Sequence, residues 1–232
     1  MNILVINASP YMRRSSTSII LNSFLSGIRE AGGEITLFNL AQLEIHPCRG
    51  DLSCWFRKKK ECIQHDDMDK LRKPFEDANV VVFSTPVYCD GVPGQLKIMI
   101  DRLVAGGNAL LEIRDNHTHH PVPDSHQLKQ FVLISSCGLW EIDNFDPMIT
   151  HLKAFCKNIG FTFCGALLRP HAFAMKNNDI NDILKAAKDA GRELVQCSSI
   201  SEKNEIIVRR EIVSREEYID IINNKVANLT QK

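Results

Sequence analysis

The sequence predicts a three-layer α/β fold, in which a five-stranded, doubly wound parallel sheet lies between two layers of helices. Short apolar runs rich in β-branched residues recur along the chain, and each is followed by a segment with helical spacing of apolar residues. Five such strand–helix pairs follow one another, as doubly wound parallel sheets require. The run Val-Val-Val-Phe at residues 80–83 is typical of a strand buried on both faces.

The elements can be placed in order from this pattern. Strands are predicted at residues 2–7, 34–40, 80–85, 130–136 and 161–168. Helices are predicted at residues 18–31, 67–77, 95–105, 145–159 and 178–196. Pro74 is expected to end or bend the second helix, because proline lacks a backbone N–H. We expect a single domain at residues 1–200, followed at 201–232 by a charged, partly helical C-terminal extension with a helix at 214–224.

The composition excludes several classes of function. The formal net charge of zero gives no field that would recruit nucleic acid or an anionic membrane. No apolar segment is long enough to span a bilayer, and the N-terminus enters a strand pattern without the charged leader of a signal peptide. Eight scattered cysteines are typical of reduced thiols in the cytoplasm. The basic run at residues 57–60 is predicted to be a solvated loop.

The loop after the first strand predicts a phosphate site. Ser9 follows the strand directly, and Ser15, Ser16, Thr17 and Ser18 open the next helix. Free helix N–H groups and the positive end of the helix dipole favour an anion, and hydroxyls add donors. The alternative is simple N-capping, which needs only one such residue. Neither a Gly-x-x-x-x-Gly-Lys-Ser/Thr nor a Gly-x-Gly-x-x-Gly motif is present.

Two other loops lie at the carboxyl ends of strands, where open α/β sheets bind ligands. The third strand ends at Thr85-Pro86, and Tyr88 and Asp90 follow before the next helix. The fourth strand ends in Ser-Ser-Cys-Gly at residues 135–138, small residues that let backbone approach a ligand. A phospho-acceptor site is excluded, because it would need acidic residues at the ends of strands one and three.

These motifs resemble those of the flavodoxin-like NAD(P)H-dependent FMN reductases and their iron–sulfur flavoprotein relatives. The segment Thr-Pro-Val-Tyr-x-x-x-Val-Pro-Gly-Gln-Leu-Lys at residues 85–97 is similar to their flavin-ring loop. The loop after strand one resembles their phosphate loop, with Tyr11 in place of the usual basic residue and Arg13 nearby. The resemblance covers about residues 2–225. It implies the strand order 2-1-3-4-5, with FMN at the switch between strands one and three.

The resemblance also implies which residues bind FMN and what the protein does. The implied binding residues are Ser9, Arg13, Ser15, Ser16, Thr17, Ser18, Pro86, Val87, Tyr88, Cys89, Asp90, Ser136, Cys137 and Gly138. The implied enzyme is a cytoplasmic homodimer or higher homo-oligomer. It takes hydride from NADPH or NADH onto FMN and reduces a small acceptor: a quinone, a nitro or azo compound, or flavin. No catalytic side chain is needed, because the hydride chemistry belongs to the cofactor. The alternative is an electron-transfer flavoprotein, with or without an iron–sulfur cluster, that serves protein partners; the balanced charge argues against it.

A loop at residues 41–65 contains Cys48, Cys54 and Cys62 and resembles the cysteine-rich insertion of the iron–sulfur flavoproteins. Asp51 stands where a further cysteine is expected, so the sequence favours thiols without a metal. A cluster stays open, as does a zinc site completed by His46 or His65. Trp55 either covers the flavin edge or fills the small core of the loop.

Four histidines lie in the polar connection at residues 106–127: His117, His119, His120 and His126. No cysteine or carboxylate accompanies them at a recognisable ligand spacing. The connection is therefore predicted to be a solvated loop and not a metal site.

Overall fold

A computed structural model describes residues 1–57, 61–126 and 128–230 of the chain. The strands are β1 (Asn2–Asn7), β2 (Glu34–Asn39), β3 (Val80–Pro86), β4 (Glu112–Arg114), β5 (His117–His119), β6 (Gln130–Ser136) and β7 (Thr162–Arg169). The α-helices are α1 (Ser16–Glu30), α2 (Ser53–Phe56), α3 (Met68–Asp77), α4 (Gly94–Arg102), α5 (Asp146–Ile159), α6 (Asn181–Cys197), α7 (Glu202–Arg209) and α8 (Arg215–Thr230).

Five of the strands form one parallel sheet in the order β2-β1-β3-β6-β7. Numbered within the sheet, this order is 2-1-3-4-5, which confirms the predicted flavodoxin-like doubly wound fold. The carboxyl ends of the central strands lie side by side, since Asn7 pairs with Ser84 and Pro86 pairs with Ser136. The loops after these strands therefore open on the same edge of the sheet.

The sheet is buried on both faces by two separate apolar clusters. Along β1, Ile3 and Val5 belong to the cluster beneath α1 and α6, whereas Leu4 and Ile6 belong to the cluster beneath α3, α4 and α5. This alternation is the pleat of a strand, whose successive side chains point to opposite faces. The continuous apolar runs of the sequence thus supply both cores.

Helix boundaries differ from the prediction where side chains cap the ends. Helix α1 begins at Ser16 because the Ser15 hydroxyl accepts a hydrogen bond from the Ser18 amide. Helix α6 begins at Asn181, later than predicted, because Asp179 accepts from the Asn181 amide in a local turn. Helix α3 contains Pro74 and continues to Asp77, so Pro74 does not end it.

The structure also contains elements that the sequence pattern missed. The polar connection holds the antiparallel hairpin β4–β5, so its prediction as a plain loop is wrong for those residues. His119 is buried in this hairpin, and His126 lies edge-on against Phe161. Trp55 donates to the Val104 carbonyl at 2.8 Å and tilts against His120, which favours the loop-packing alternative. Of the basic run, residues 58–60 lie outside the described residues.

The C-terminal segment packs onto the sheet domain. Helix α7 contacts α6 and β7, and Tyr218 of α8 is only 4% exposed. A boundary at residue 200 remains a prediction, and residues 231–232 of the predicted extension are not described. Within the described ranges, no helix combines the length and apolarity needed to cross a bilayer.

Candidate functional site

The loop after β1 turns sharply before α1 begins. The Ser9 amide is held by the Asn7 side chain at 3.2 Å, and the Met12 amide returns to the Ser9 carbonyl at 3.0 Å. Met12 has a left-handed backbone with φ of 46°. The following 3₁₀ turn (Met12–Arg14) leaves Arg13 exposed beside the start of α1. Ser9 is buried, so it supports the turn more than it faces solvent.

The hydroxyls at the start of α1 all have partners within the chain. The Ser18 hydroxyl donates to the Met12 carbonyl, and the Ser15 hydroxyl lies within donating distance of the Ser18 hydroxyl, at 2.9 Å, and of the same carbonyl, at 3.0 Å. Thr17 pairs with Ser136, and Ser16 makes a long contact of 3.4 Å with the Ala172 carbonyl. The donors of the first turn without an acceptor among the described residues are the amides of Ser16 and Thr17. An anion here would therefore bind first to backbone N–H groups at a helix N-terminus.

The loop after β3 is a tight two-residue turn. Tyr88 and Gly91 exchange two backbone hydrogen bonds of 3.0 and 3.1 Å. Cys89 and Asp90, between them, have φ of 47° and 62°, the backbone of a type I′ turn. The turn holds Tyr88 at 44% exposure, so Tyr88 is not a core residue.

The loop after β6 is held from several sides. The Cys137 amide donates to the Arg169 carbonyl and the Cys137 carbonyl accepts from Ala172, so this loop is tied to the one after β7. The Gly138 carbonyl accepts a hydrogen bond from the Tyr218 hydroxyl at 2.5 Å. Burial raises the pKa of the Cys137 thiol, and the nearby Asp90 charge raises it further. This thiol is protonated at neutral pH, which argues against a nucleophile.

The structure brings most of the predicted binding residues together. The start of α1 meets the loop after β6 through Thr17 and Ser136, whose hydroxyls lie 2.5 Å apart. The loop after β3 joins them because the Val87 amide donates to the Ser136 carbonyl at 2.9 Å, while Pro86 pairs with Ser136 in the sheet. Within the described chain, the side chains of Arg13 and Cys89 make no bond to this group.

Sequence reasoning missed an aromatic group beside the loop after β6, formed by Trp140, His171 and Tyr218. His171 stacks on Trp140 with ring centroids 4.3 Å apart, and both contact Tyr218. The buried Arg169 donates to the His171 ring, to the Val208 carbonyl and to the Pro170 carbonyl. The signal was weak, because these residues lie in separate segments of the sequence. The local clue is an arginine that ends a buried strand and a histidine two residues later, Arg169 and His171.

The residues at this edge fit FMN. Large apolar side chains remain exposed on the loops after β1, β3, β6 and β7. These are Tyr11, Tyr88, Leu139 and Phe173, at 70%, 44%, 57% and 53% exposure. Such side chains are what a flat, largely apolar ring would cover. The free amides of α1 lie at one end of this area, and Arg13 adds a cation there. The donor set therefore suits a ligand with a phosphate at one end and a planar ring at the other.

A second group of reactive side chains surrounds a small open cleft at the end of α4. The cleft is lined by Cys48, Asp51, Cys54, Cys62 and Arg102, among others. Burial raises the pKa of the Cys54 thiol, and the neighbouring Cys62, Cys48 and Asp51 raise it further. In the described part of the chain, no three ligating side chains are close enough to share a single metal ion. A mononuclear zinc site is thus disfavoured.

Comparison with known proteins decides the family. The family model described as NADPH-dependent FMN reductase matches residues 1–120, just over half of the chain. The chain belongs to the NADPH-dependent FMN reductase family. The match includes the loops after β1 and β3 and every residue that lines the cysteine cleft, whereas the loops after β6 and β7 lie beyond it.

The curated relatives of this family member are named iron-sulfur flavoproteins. One from Methanocaldococcus jannaschii is 32% identical over 102 residues, which is 44% of this chain and 51% of the relative. One from Archaeoglobus fulgidus is 38% identical over 99 residues, which is 43% of this chain and 50% of the relative. The matches thus span about half the length of these relatives.

Solved structures show the same fold at low identity. An FMN-dependent NADH-azoreductase from Bacillus anthracis, solved in complex with FMN, superposes with a TM-score of 0.62 and 16% identity, covering 85% of this chain and 99% of that one. An NAD(P)H:quinone oxidoreductase from Methanothermobacter marburgensis gives a TM-score of 0.61 and 18% identity, covering 84% and 96%. These likenesses establish the flavodoxin-like architecture of this FMN reductase family member.

Proposed function

We propose that the protein is an FMN-dependent NAD(P)H oxidoreductase that reduces a small acceptor such as a quinone, a nitro or azo compound, or flavin. One observation carries the proposal: three loops are bonded to one another at the carboxyl edge of the sheet, with free helix amides at one end and exposed aromatic side chains beside them. Membership of the FMN reductase family supports it.

Each loop has a distinct task in this proposal. The amides of Ser16 and Thr17, with Arg13, hold the phosphate of FMN, because the helix N-terminus favours an anion. The rigid turn at Tyr88 presents an aromatic ring beside the flavin. The small residues from Ser136 to Gly138 allow the backbone to approach the ring edge.

Bound FMN supplies the hydride-accepting chemistry, and the protein supplies position and environment. Cys137, whose burial raises its pKa, contributes its backbone and not a nucleophile. The exposed side chains of Leu139 and Phe173 would help to exclude water from bound FMN. The electron donor is NADPH or NADH.

The assembly and location are also proposals. We propose a homodimer, supported by the apolar side chains at and beside β4, since Leu110, Leu111 and Ile113 are 67%, 66% and 82% exposed. A cytoplasmic location is supported by the eight cysteines, which are all free thiols. Light scattering on a sizing column tests the dimer.

An electron-transfer flavoprotein with an iron–sulfur cluster is the second candidate. The cleft lined by Cys48, Cys54, Cys62 and Asp51 is the observation that favours it, because four such donors around one space suit a second redox centre. The two relatives named iron-sulfur flavoproteins match 44% and 43% of this chain.

The test is an absorbance spectrum of the desalted protein loaded with FMN, repeated after anaerobic NADPH or NADH. Bleaching of the flavin bands by either nicotinamide supports the oxidoreductase. Flavin that bleaches with dithionite but with neither nicotinamide favours the electron carrier. A protein that binds no FMN contradicts both.

Arg13, in the 3₁₀ turn before α1, and Arg29, in the last turn of α1, give a matched pair of variants. Arg13→Ala is expected to weaken FMN binding about tenfold, the equivalent of about 1.4 kcal/mol, because it removes a cation beside the phosphate. Arg29→Ala removes an exposed arginine in the last turn of α1 and is expected to leave FMN binding unchanged. If the two variants bind FMN with equal affinity, Arg13 does not contribute to the FMN site.

A further inference from the structure

Helix α8 packs across the loops after β6 and β7 through a small number of side chains. Arg215 pairs with Glu141 at 3.0 Å, and the Lys225 ammonium lies 5.4 Å from the centre of the Phe173 ring. Of the described residues of α8, Tyr218 alone is buried. Helix α8 therefore contacts the edge of the sheet where FMN is proposed to bind, and Tyr218 makes its buried contact.

The segment between α7 and α8 is held in place before α8 begins. The Arg210 guanidinium binds both oxygens of the Asp182 carboxylate, at 2.5 and 2.6 Å. The Ile212 amide donates to the buried His171 ring at 3.3 Å. These contacts fix where α8 starts, so the position of Tyr218 beside the loop after β6 is set by the fold.

Three successive carbonyls of the loop after β6, at residues 137–139, accept hydrogen bonds from the side of β7 and α8. The donors are the Ala172 amide for Cys137 at 3.0 Å, the Tyr218 hydroxyl for Gly138 at 2.5 Å and the His171 amide for Leu139 at 2.7 Å. Two of these donors belong to the backbone. Tyr218 is the side chain among the three, so its contribution can be removed by substitution.

The Tyr218 hydroxyl is held as a hydrogen-bond donor. Its ring lies between Trp140 and His171, with ring centroids 5.9 Å apart in each case. Burial raises the pKa of Tyr218 to about 12, although the Phe173 amide acts in the opposite direction. The hydroxyl therefore keeps its proton at neutral pH and donates it to the Gly138 carbonyl.

The amides of the same loop point away from α8. In a trans peptide the N–H is directed opposite to the preceding carbonyl, so the bond from Tyr218 to Gly138 also orients the Leu139 amide. That amide lies 3.4 Å from Cys137 Sγ, and the Gly138 amide faces the same sulfur. Sulfur is a weak acceptor. The charge of Asp90 acts on this thiol, so both amides lie toward the loop after β3.

Oriented amides at this position suit the electron balance of the proposed reaction. NADPH or NADH gives a hydride, which is two electrons and one proton, to oxidised FMN, and the products are NADP⁺ or NAD⁺ and the anionic reduced FMNH⁻. Backbone N–H groups that are already oriented stabilise a negative charge as it develops. Such amides would favour the reduced flavin over the oxidised one.

We propose that Tyr218 is a positioning residue of the flavin site: its hydroxyl holds the Gly138 carbonyl toward α8 and so keeps the Leu139 amide available to the reduced flavin. This inference rests on the proposed function. Tyr218 lies beyond residues 1–120, which match the family model, so the family match assigns it no role. The residue acts through the loop and not by touching the reacting atoms.

The experiment uses the full chain loaded with FMN and desalted under anaerobic conditions. Quenching of flavin fluorescence measures the affinity for oxidised FMN, and a dithionite titration with a reference dye measures the midpoint potential of bound FMN. Tyr218→Phe keeps the ring and removes the hydroxyl. It is expected to bind oxidised FMN as the wild type does and reduced FMN about tenfold more weakly, which lowers the potential by about 30 mV for a two-electron couple.

Two further proteins separate positioning from a purely structural role. Replacing Tyr218 with 4-aminophenylalanine keeps a weaker donor on the same ring and is expected to recover part of the lost potential. Ser201→Ala removes the N-cap of α7 and loosens the C-terminal segment without touching Gly138, so the potential is expected to stay at the wild-type value. Circular dichroism establishes that each protein is folded. Should Tyr218→Phe fail to fold, the 4-aminophenylalanine protein decides, because its weaker donor must still lower the potential.

Each outcome supports or overturns the role of Tyr218. A wild-type potential in Tyr218→Phe overturns it, as does an equal shift in Ser201→Ala. Flavin that dithionite reduces but neither nicotinamide reduces contradicts the oxidoreductase proposal, while the comparison of potentials still decides the role of Tyr218. Wild-type protein that binds no FMN contradicts both proposals.

Discussion

The hydroxyls of Thr17 and Ser136 lie 2.5 Å apart although 119 residues separate them, and both side chains are buried. This contact joins the start of α1 to the end of β6 at the edge where the flavin is proposed to bind. Replacing one partner alone leaves a buried hydroxyl unpaired, which costs about 1–3 kcal/mol, whereas replacing both removes the unpaired group.

Thr17→Val is therefore expected to lower the free energy of unfolding by about 1–3 kcal/mol, and Thr17→Val with Ser136→Ala to lower it by less than the sum of the single changes. Urea unfolding of the four proteins measures this coupling. Ser16→Ala, which loses only a 3.4 Å contact, serves as the control and is expected to cost little. Strictly additive changes would mean that the two hydroxyls do not interact.

The strands and their order could be predicted from the sequence, but the partners of polar side chains could not. The apolar run at Val80–Phe83 reports a buried strand directly, because both faces of that strand need apolar residues. The sequence places the hydroxyl cluster Ser15–Ser18 at the start of a helix, but in the structure these hydroxyls bond within the chain, and their role at a phosphate stays a prediction. Their acceptors depend on loops far away in sequence, such as Ser136 and Ala172, which periodicity does not specify.

Short elements were missed for a different reason. The hairpin β4–β5 has three residues in each strand, too few for a period to register. Asp115 and Asn116, which connect β4 to β5, both have positive φ, and an Asp-Asn pair is a residue signal for a two-residue hairpin turn. Helix α7 was read as charged tail, although Ser201 caps it by accepting from the Asn204 amide.

The pair Asp66–Arg102 is the strongest buried electrostatic contact near the cysteine cleft, with 2.6 Å between Oδ2 and the guanidinium and both side chains at most 3% exposed. Burial alone would raise the pKa of Asp66, but hydrogen bonds from Arg102 and from the amides of His46 and Met68 hold that pKa below its ordinary value. The pair therefore contributes stability at neutral pH that is lost as the pH falls through the lowered pKa.

Asp66→Asn is expected to lower the free energy of unfolding by about 3–5 kcal/mol, because it leaves the Arg102 charge buried and unpaired. Adding Arg102→Met to this variant should restore part of the loss. Asp69→Asn breaks only exposed pairs with His65 and Arg72 and should cost less than about 1 kcal/mol. Chemical denaturation compares the three; equal losses in Asp66→Asn and Asp69→Asn would contradict the role of burial.

His171 predicts a pH dependence of stability. Burial, together with the neighbouring Arg169 charge, lowers the pKa of His171 to about 4. Its Nε2 accepts from the Ile212 amide and from Arg169, so the folded protein holds the neutral ring. As the pH falls below about 6.5, the unfolded chain takes up a proton that the folded chain does not bind until about pH 4.

His171 should therefore cost the protein up to about 1.4 kcal/mol of stability for each pH unit between 6.5 and 4, and nothing above pH 7. His171→Asn keeps an acceptor, tolerates the left-handed backbone at φ of 39°, and has no titrating ring. Urea unfolding at pH 7, 6 and 5 should give a shallower decline for this variant than for the wild type. Parallel declines would place the titration on other groups.

The last prediction concerns how closely α1 and α6 pack, since α1 carries the proposed phosphate site at its start. A Cβ on Gly191 would lie 2.1 Å from the Phe24 carbonyl oxygen, and one on Gly27 would lie 1.8 Å from the Lys188 carbonyl oxygen. Both obstacles are backbone atoms of the facing helix, which cannot turn aside as a flexible side chain can. An added methyl must therefore push the two helices apart.

Gly191→Ala and Gly27→Ala are each expected to lower the free energy of unfolding by about 1–3 kcal/mol, despite the better helix propensity of alanine. Gly106→Ala is the matched control, because nothing lies within 4 Å of its added Cβ. Thermal unfolding of the three variants, with FMN affinity measured beside it, tests the packing. If Gly191→Ala is as stable as Gly106→Ala, the two helices have more room than the structure gives them.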